Sequence, residues 1–177
     1  MVTRILLIFS FTLILYSCSK DEALYKPSDT INPYEVYKEG VEAFKKNDFF
    51  YASKKFSEAE LNFETVELAA KSSIMESFSL YGMNFYLDAE ENLNRYLSTY
   101  PSDTNVIYAH YLLAIIYFEQ ISDEKKDIKP LVKANEKIDY FVNNYPNTDY
   151  AIDLKFKKDL IQNQLAAKEL FVAKYYI

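Results

Sequence analysis

The chain has 177 residues, with 20 lysines and arginines, 26 aspartates and glutamates and one histidine, for a formal charge of −6. That length suits one domain or two small ones, and half the residues are apolar, enough to bury a core. Two distant glycines exclude phosphate-cradling loops, one cysteine and one histidine exclude a thiolate or imidazole zinc cluster and an internal disulfide framework, and the acidic balance argues against nucleic acid as a partner.

The first element is an address. Residues 1–4 carry one positive charge, and residues 5–16 carry none. Twelve residues are too few to span a bilayer, which takes roughly 20, but suit the apolar stretch of a signal peptide. The run ends at Leu15-Tyr16-Ser17-Cys18. This resembles a bacterial lipobox, with leucine at −3, a small residue at −1 and cysteine at +1. The resemblance implies cleavage before Cys18, a diacylglycerol thioether on its sulfur and an acylated new amino terminus. Acyl chains on Cys18 are then the only attached groups expected, with no cofactor and no metal. Several chains, each buried CH₂ worth roughly 0.8 kcal/mol, anchor a protein to a lipid membrane. Ser19, in place of aspartate, points to the outer membrane. Residues 1–17 are thus expected to be a signal peptide and 18–32 a lipidated cysteine with a polar tether. That tether would reach on the order of 20 Å. Residues 33–177 form the folded part.

Three later segments share one spacing. Ala52, Phe56, Ala59 and Phe63 stand at 0, +4, +7 and +11; Ala89, Leu93, Tyr96 and Tyr100 repeat the pattern, as do Ala134, Ile138, Phe141 and Tyr145. This is one apolar stripe of a helix. Pro101 and Pro146 follow the second and third stripes and stop those helices, while Glu64 holds that place after the first. An apolar-periodic segment precedes each: Val36, Tyr37, Gly40, Val41 and Phe44; Ile74, Phe78, Tyr81 and Gly82; Tyr111, Ala114, Ile115 and Phe118. The unit is helix–turn–helix. Ala52, Ala89 and Ala134 are small because each meets the preceding helix closely. Residues 122–129 read as an inserted loop. A last helix from about Asp149 carries Leu154, Leu160, Ile161, Leu165, Leu170, Val172, Tyr175 and Tyr176.

Paired helices at this period resemble tetratricopeptide repeats, nominally about 34 residues long. Gly40, Ala52, Phe56 and Ala59 fall on motif positions. Ser77 and Ala114 stand where the first repeat has glycine. The expected fold is all-α, a right-handed superhelix of three helix pairs plus one long helix, without a sheet.

The lipidated cysteine, tether and stretched repeats together resemble the BamD family, also called YfiO or ComL. The segments 108–121 and 159–176 carry the resemblance most specifically. It implies a non-catalytic lipoprotein of the outer-membrane β-barrel assembly machine. The implied partners are the barrel insertase BamA, the accessory lipoproteins of that complex and the targeting peptides of unfolded outer-membrane proteins. The alternative is another periplasmic repeat lipoprotein, an adaptor in envelope or cell-division work. The family continues past the position of Ile177 into a turn and a partner helix, so a C-terminally truncated repeat domain is expected.

Repeat stacking makes a concave surface lined by the first helix of each pair. By position, that face would hold Tyr34, Tyr37, Phe78, Tyr81, Tyr108 and Tyr111, an aromatic-lined peptide groove. Tyrosines give large contact area and a hydroxyl at small entropic cost. His110 lies beside the Tyr111–Ala114 stripe with no nucleophile in its local pattern, so it reads as packing. Carboxylate pairs such as Glu90-Glu91 read as a solvated helix face.

Overall fold

The computed structural model describes residues 31–121 and 128–176. The signal segment, Cys18, nearly all of the tether and residues 122–127 of the insertion lie outside them. The helices are α1 (Pro33–Lys45), α2 (Phe49–Asn62), α3 (Val66–Gly82), α4 (Tyr86–Thr99), α5 (Val106–Glu119), α6 (Lys129–Asn144) and α7 (Asp149–Tyr176). Among the described residues there is no strand. Each helix packs on the next in sequence, and α5 also touches α7. The pairs are α1/α2, α3/α4 and α5/α6, and α7 stands where a further first helix would.

The shared stripe is what each second helix buries. Ala52, Phe56 and Ala59, then Ala89, Leu93 and Tyr96, then Ala134, Ile138 and Phe141 have no exposed surface. The residue at +11 is half-buried in all three cases. Helices α4 and α6 stop immediately before Tyr100-Pro101 and Tyr145-Pro146. Helix α2 stops in the same register without a proline. There Asn62 Nδ2 donates to the Glu58 carbonyl at 2.7 Å, and Phe63 turns to extended backbone. Asn144 Nδ2 caps the Tyr140 carbonyl in the same way at 2.7 Å.

The turns inside the first two pairs are alike. Asn47 and Asn84 sit in the left-handed region at φ 60° and 59°. Asp48 N–H reaches back to the Ala43 carbonyl at 3.0 Å, and Phe85 N–H to the Leu80 carbonyl at 3.0 Å. This is the 6→1 bond of a Schellman cap, with asparagine in the place glycine usually takes.

One boundary differs from the sequence reading, and one apolar helix is only partly covered. Lys129 belongs to α6 and not to the loop, because Pro130 at the helix start supplies a φ already suited to the first turn. In α7 only Ala151, Leu154 and Ile161 are buried, with Leu165 partly so. Leu160, Leu170, Val172, Tyr175 and Tyr176 are exposed, because α7 packs only on α6 and lightly on α5.

The seams between pairs differ in chemistry. Between the second and third pairs the core is apolar, built from residues such as Leu93, Leu113 and Ile116. Between the first and second a charged pair, Arg95 of α4 on Glu60 of α2, crosses the seam beside a serine-rich α3. Ser72, Ser73, Ser77 and Ser79 of α3 are fully buried. Three of them bond back to their own helix: Ser72 Oγ to the Leu68 carbonyl at 2.9 Å, Ser77 to Ser73 at 3.2 Å and Ser79 to Met75 at 2.9 Å. A buried hydroxyl satisfied in this way avoids the cost of an unpaired one.

Candidate functional site

Helices α1, α3, α5 and α7 each contribute a ring to one continuous ladder. Phe44, Phe78, Tyr108 and Tyr150 follow one another with centroids 5.8 Å apart at every step. Tyr111 stacks on Tyr150 at 4.5 Å and lies 6.1 Å from Tyr108. Tyr81 joins through Phe78 at 6.3 Å and leads to Tyr86 at 6.1 Å. All these rings but Tyr150 are half-buried, and Tyr150 is more open at 38% exposed. Offset and edge contacts at these distances add about 0.5–1.5 kcal/mol per pair beyond area burial. The ladder is therefore a rigid surface and not a set of loose side chains.

A depression of about 280 Å³ opens along it, lined by Phe44, Ile74, Met75, Phe78, Asn105 and Tyr108. It is apolar except for the Asn105 amide. At the other end the hydroxyls gather. Tyr111 donates to Asp153 Oδ2 at 3.0 Å. Burial, then the Asp153 bond, pushes the Tyr111 phenol up to about 12. Burial raises Tyr108 further, helped by Tyr150, Tyr111 and Tyr81, and burial raises Tyr81 as well, helped by Glu119 and Tyr86. All three stay neutral donors at physiological pH.

Of the six groove residues expected from sequence, Phe78, Tyr81, Tyr108 and Tyr111 are brought together here. Tyr34 and Tyr37 are not. Tyr34 meets Phe63 edge-on at 5.1 Å, and Tyr37 lies on Phe56 at 5.3 Å and on Phe63 at 6.3 Å. Among the described residues no ring contact joins either to the ladder. They pack within the first pair instead, on rings of α2 and its C-terminal cap. Phe44 and Tyr150 were missed as groove residues. The signal for both was present: each is an aromatic of a first-helix segment, like Phe78 and Tyr108.

The packing residues sit where the pairs approach closest. A Cβ on Gly40 would come within 2.9 Å of the Phe56 ring. Ala52, Ala89 and Ala134 are each buried in the core between their helix and its partner. His110 packs between Tyr140, at 5.1 Å, and Tyr145, at 5.8 Å. Burial, then Lys137, holds its imidazole below the usual range. Glu90 is not simply solvated, since it accepts a bond from the Tyr117 hydroxyl.

Comparison with known proteins matches residues 29–177 to the family model YfiO, outer membrane lipoprotein. Among relatives, the outer membrane protein assembly factor BamD of Caulobacter vibrioides is 33% identical over 142 residues, covering 80% of this chain and 47% of that protein. BamD of Rickettsia prowazekii is 28% identical over 142 residues, covering 80% and 57%. BamD of Neisseria meningitidis serogroup B is 23% identical over 187 residues, covering 98% and 70%. The chain thus spans about half the length of the first two relatives. The family match runs through every helix that carries the stripe and the ladder, and the chain belongs to the YfiO family of outer membrane lipoproteins.

Proposed function

We propose that this chain is a non-catalytic, lipid-anchored scaffold of outer-membrane protein assembly, which holds an extended segment of an unfolded outer-membrane protein on the aromatic ladder. The ladder carries the reading: four successive first-position helices present Phe44, Phe78, Tyr108 and Tyr150 as one surface with an apolar depression beside it. Successive same-side residues of an extended strand are about 6.6–6.8 Å apart, close to the step between rings. A strand laid across the helices could set alternate side chains against successive rungs while tyrosine hydroxyls meet its backbone. In this reading the barrel insertase BamA and the accessory lipoproteins are its neighbours. Acyl chains on Cys18 hold it at the periplasmic face of the outer membrane.

The relatives' name, outer membrane protein assembly factor, supports that role. The test is binding of a barrel-derived peptide to the full chain in detergent. Phe78→Ala and Tyr108→Leu should each weaken it by about 1–3 kcal/mol, while Tyr34→Ala leaves it unchanged. Equal affinity in all three folded variants would refute the ladder. For the anchor, Cys18→Ala should move the protein from the membrane to the soluble fraction.

A further inference from the structure

The depression beside the ladder is built by three helices. Phe44 comes from α1, Ile74, Met75 and Phe78 from α3, and Tyr108 from α5, with Asn105 just before that helix. At about 280 Å³ it is smaller than pockets that enclose whole small molecules, roughly 300–1,000 Å³, and has room for one large side chain. Its walls are rings and aliphatic groups except for one amide.

That amide is held in one orientation. Asp103 Oδ1 accepts the Asn105 backbone N–H at 2.9 Å and Asn105 Nδ2 at 3.0 Å, and it also accepts the Tyr96 hydroxyl. An ionised carboxylate only accepts, so the nitrogen end of the amide faces Asp103. The oxygen end is the free one. Asn105 makes no side-chain cap bond to its own helix. Among the described residues nothing donates to its Oδ1, and that atom is not sealed away from an incoming group. The depression therefore combines apolar walls with a single fixed acceptor. Phe44, Phe78 and Tyr108 are also three successive rungs of the ladder, so a strand that follows the rungs passes its mouth.

We propose that the depression is a tyrosine pocket. It takes a tyrosine side chain of the segment lying on the ladder, with the ring against Ile74, Met75 and Phe78 and the hydroxyl donating to Asn105 Oδ1. The inference rests on the ladder as the peptide surface and adds which side chain that surface selects. Phenylalanine or leucine would fill the same space but strip water from the Asn105 oxygen without replacing its hydrogen bond. Serine and threonine would leave the rings uncovered. A lysine or arginine head would lose its hydration among apolar walls, with no carboxylate lining the depression. Tyrosine brings an apolar ring with a donor at its far end, and so matches both features.

The test uses the full chain in detergent and a barrel-derived peptide, with each aromatic position made tyrosine and phenylalanine in turn. At one position the tyrosine form should bind about fivefold more tightly, the scale of one neutral hydrogen bond. The same form should shift the methyl resonances of Ile74 and Met75. Asn105→Ala should bring the tyrosine form down to the affinity of the phenylalanine form, which itself stays unchanged. Met75→Trp, which fills the depression, should weaken both forms and erase the preference. No position that prefers tyrosine, a preference that survives Asn105→Ala, or equal weakening of both forms by that variant would overturn the pocket and leave the ladder standing. Peptide binding indifferent to Phe78→Ala and Tyr108→Leu would remove the ladder, and the pocket with it.

Discussion

Gly40 illustrates how far one atom matters. In a helix interior, alanine in place of glycine normally gains about 1 kcal/mol. Here the added Cβ would stand 2.9 Å from a Phe56 ring that is wholly buried and cannot swing aside. Overpacking of this kind costs about 1–3 kcal/mol. Gly40→Ala should therefore lower the midpoint of denaturant unfolding with an unchanged slope. The motif position of Gly40 was legible in the sequence; the ring that demands it was not. Glu76 gives a pH prediction. Burial, then the nearby Glu60, raises its carboxyl above the ordinary 4.5, with Arg95, Ser57 and Asn92 pulling the other way. Between 4.5 and that raised value the folded state binds a proton the unfolded state has released. Its contribution to stability therefore falls as pH rises through this window and stays lower at neutral pH. Glu76→Gln should unfold at a higher temperature than wild type at pH 7, with the advantage shrinking on acidification toward 4.5. No difference at pH 7 would contradict the burial argument.

At the scale of elements, the Arg95–Glu60 pair ties α2 of one helix pair to α4 of the next. Glu60 has 6% side-chain exposure and Arg95 46%, so the carboxylate is the member that cannot regain water. Arg95→Ala leaves it uncompensated and should cost about 3 kcal/mol in chemical denaturation. Glu60→Leu combined with Arg95→Met should recover most of that loss, because replacing both partners removes the stranded charge. The turns make a second case. Asn47 and Asn84, 37 residues apart like Ala52 and Ala89, both adopt positive φ. A β-branched residue pays heavily there, so Asn47→Val should cost about 1–2 kcal/mol by thermal unfolding. The connectors were readable as polar turns. Their shared cap was not, because backbone sign is a property of geometry that asparagine permits without requiring.

Over the whole repeat unit, each helix depends on its sequence neighbours, so protection should vary along the chain. Helices α3 to α5 bury both flanks. Beyond Leu165, α7 has mostly exposed side chains, including Leu170, Tyr175 and Tyr176. Hydrogen exchange should be slowest in α3–α5 and fastest in the second half of α7; uniform protection along α7 would contradict this. The ladder also belongs to this scale. Its rungs come from residues 44, 78, 108 and 150, and no local pattern states that these four rings touch.

The sequence by itself determined the helices, their pairing and the residues each second helix buries. An apolar stripe at helical spacing has only one way to leave water, and a small residue opposite a neighbour has only one use. Family membership follows from the same stretches, since the match covers 29–177. Only the tertiary structure decided which aromatics share a surface and which pack inside the first pair, as Tyr34 and Tyr37 do. It also decided that the first seam is polar, with Glu60 gripped by Arg95 and one oxygen of Glu76 buried without a hydrogen bond. Periodicity says which face of a helix is covered. What covers it depends on the angle and offset at which separate helices meet, and those are fixed by packing between residues far apart in the chain.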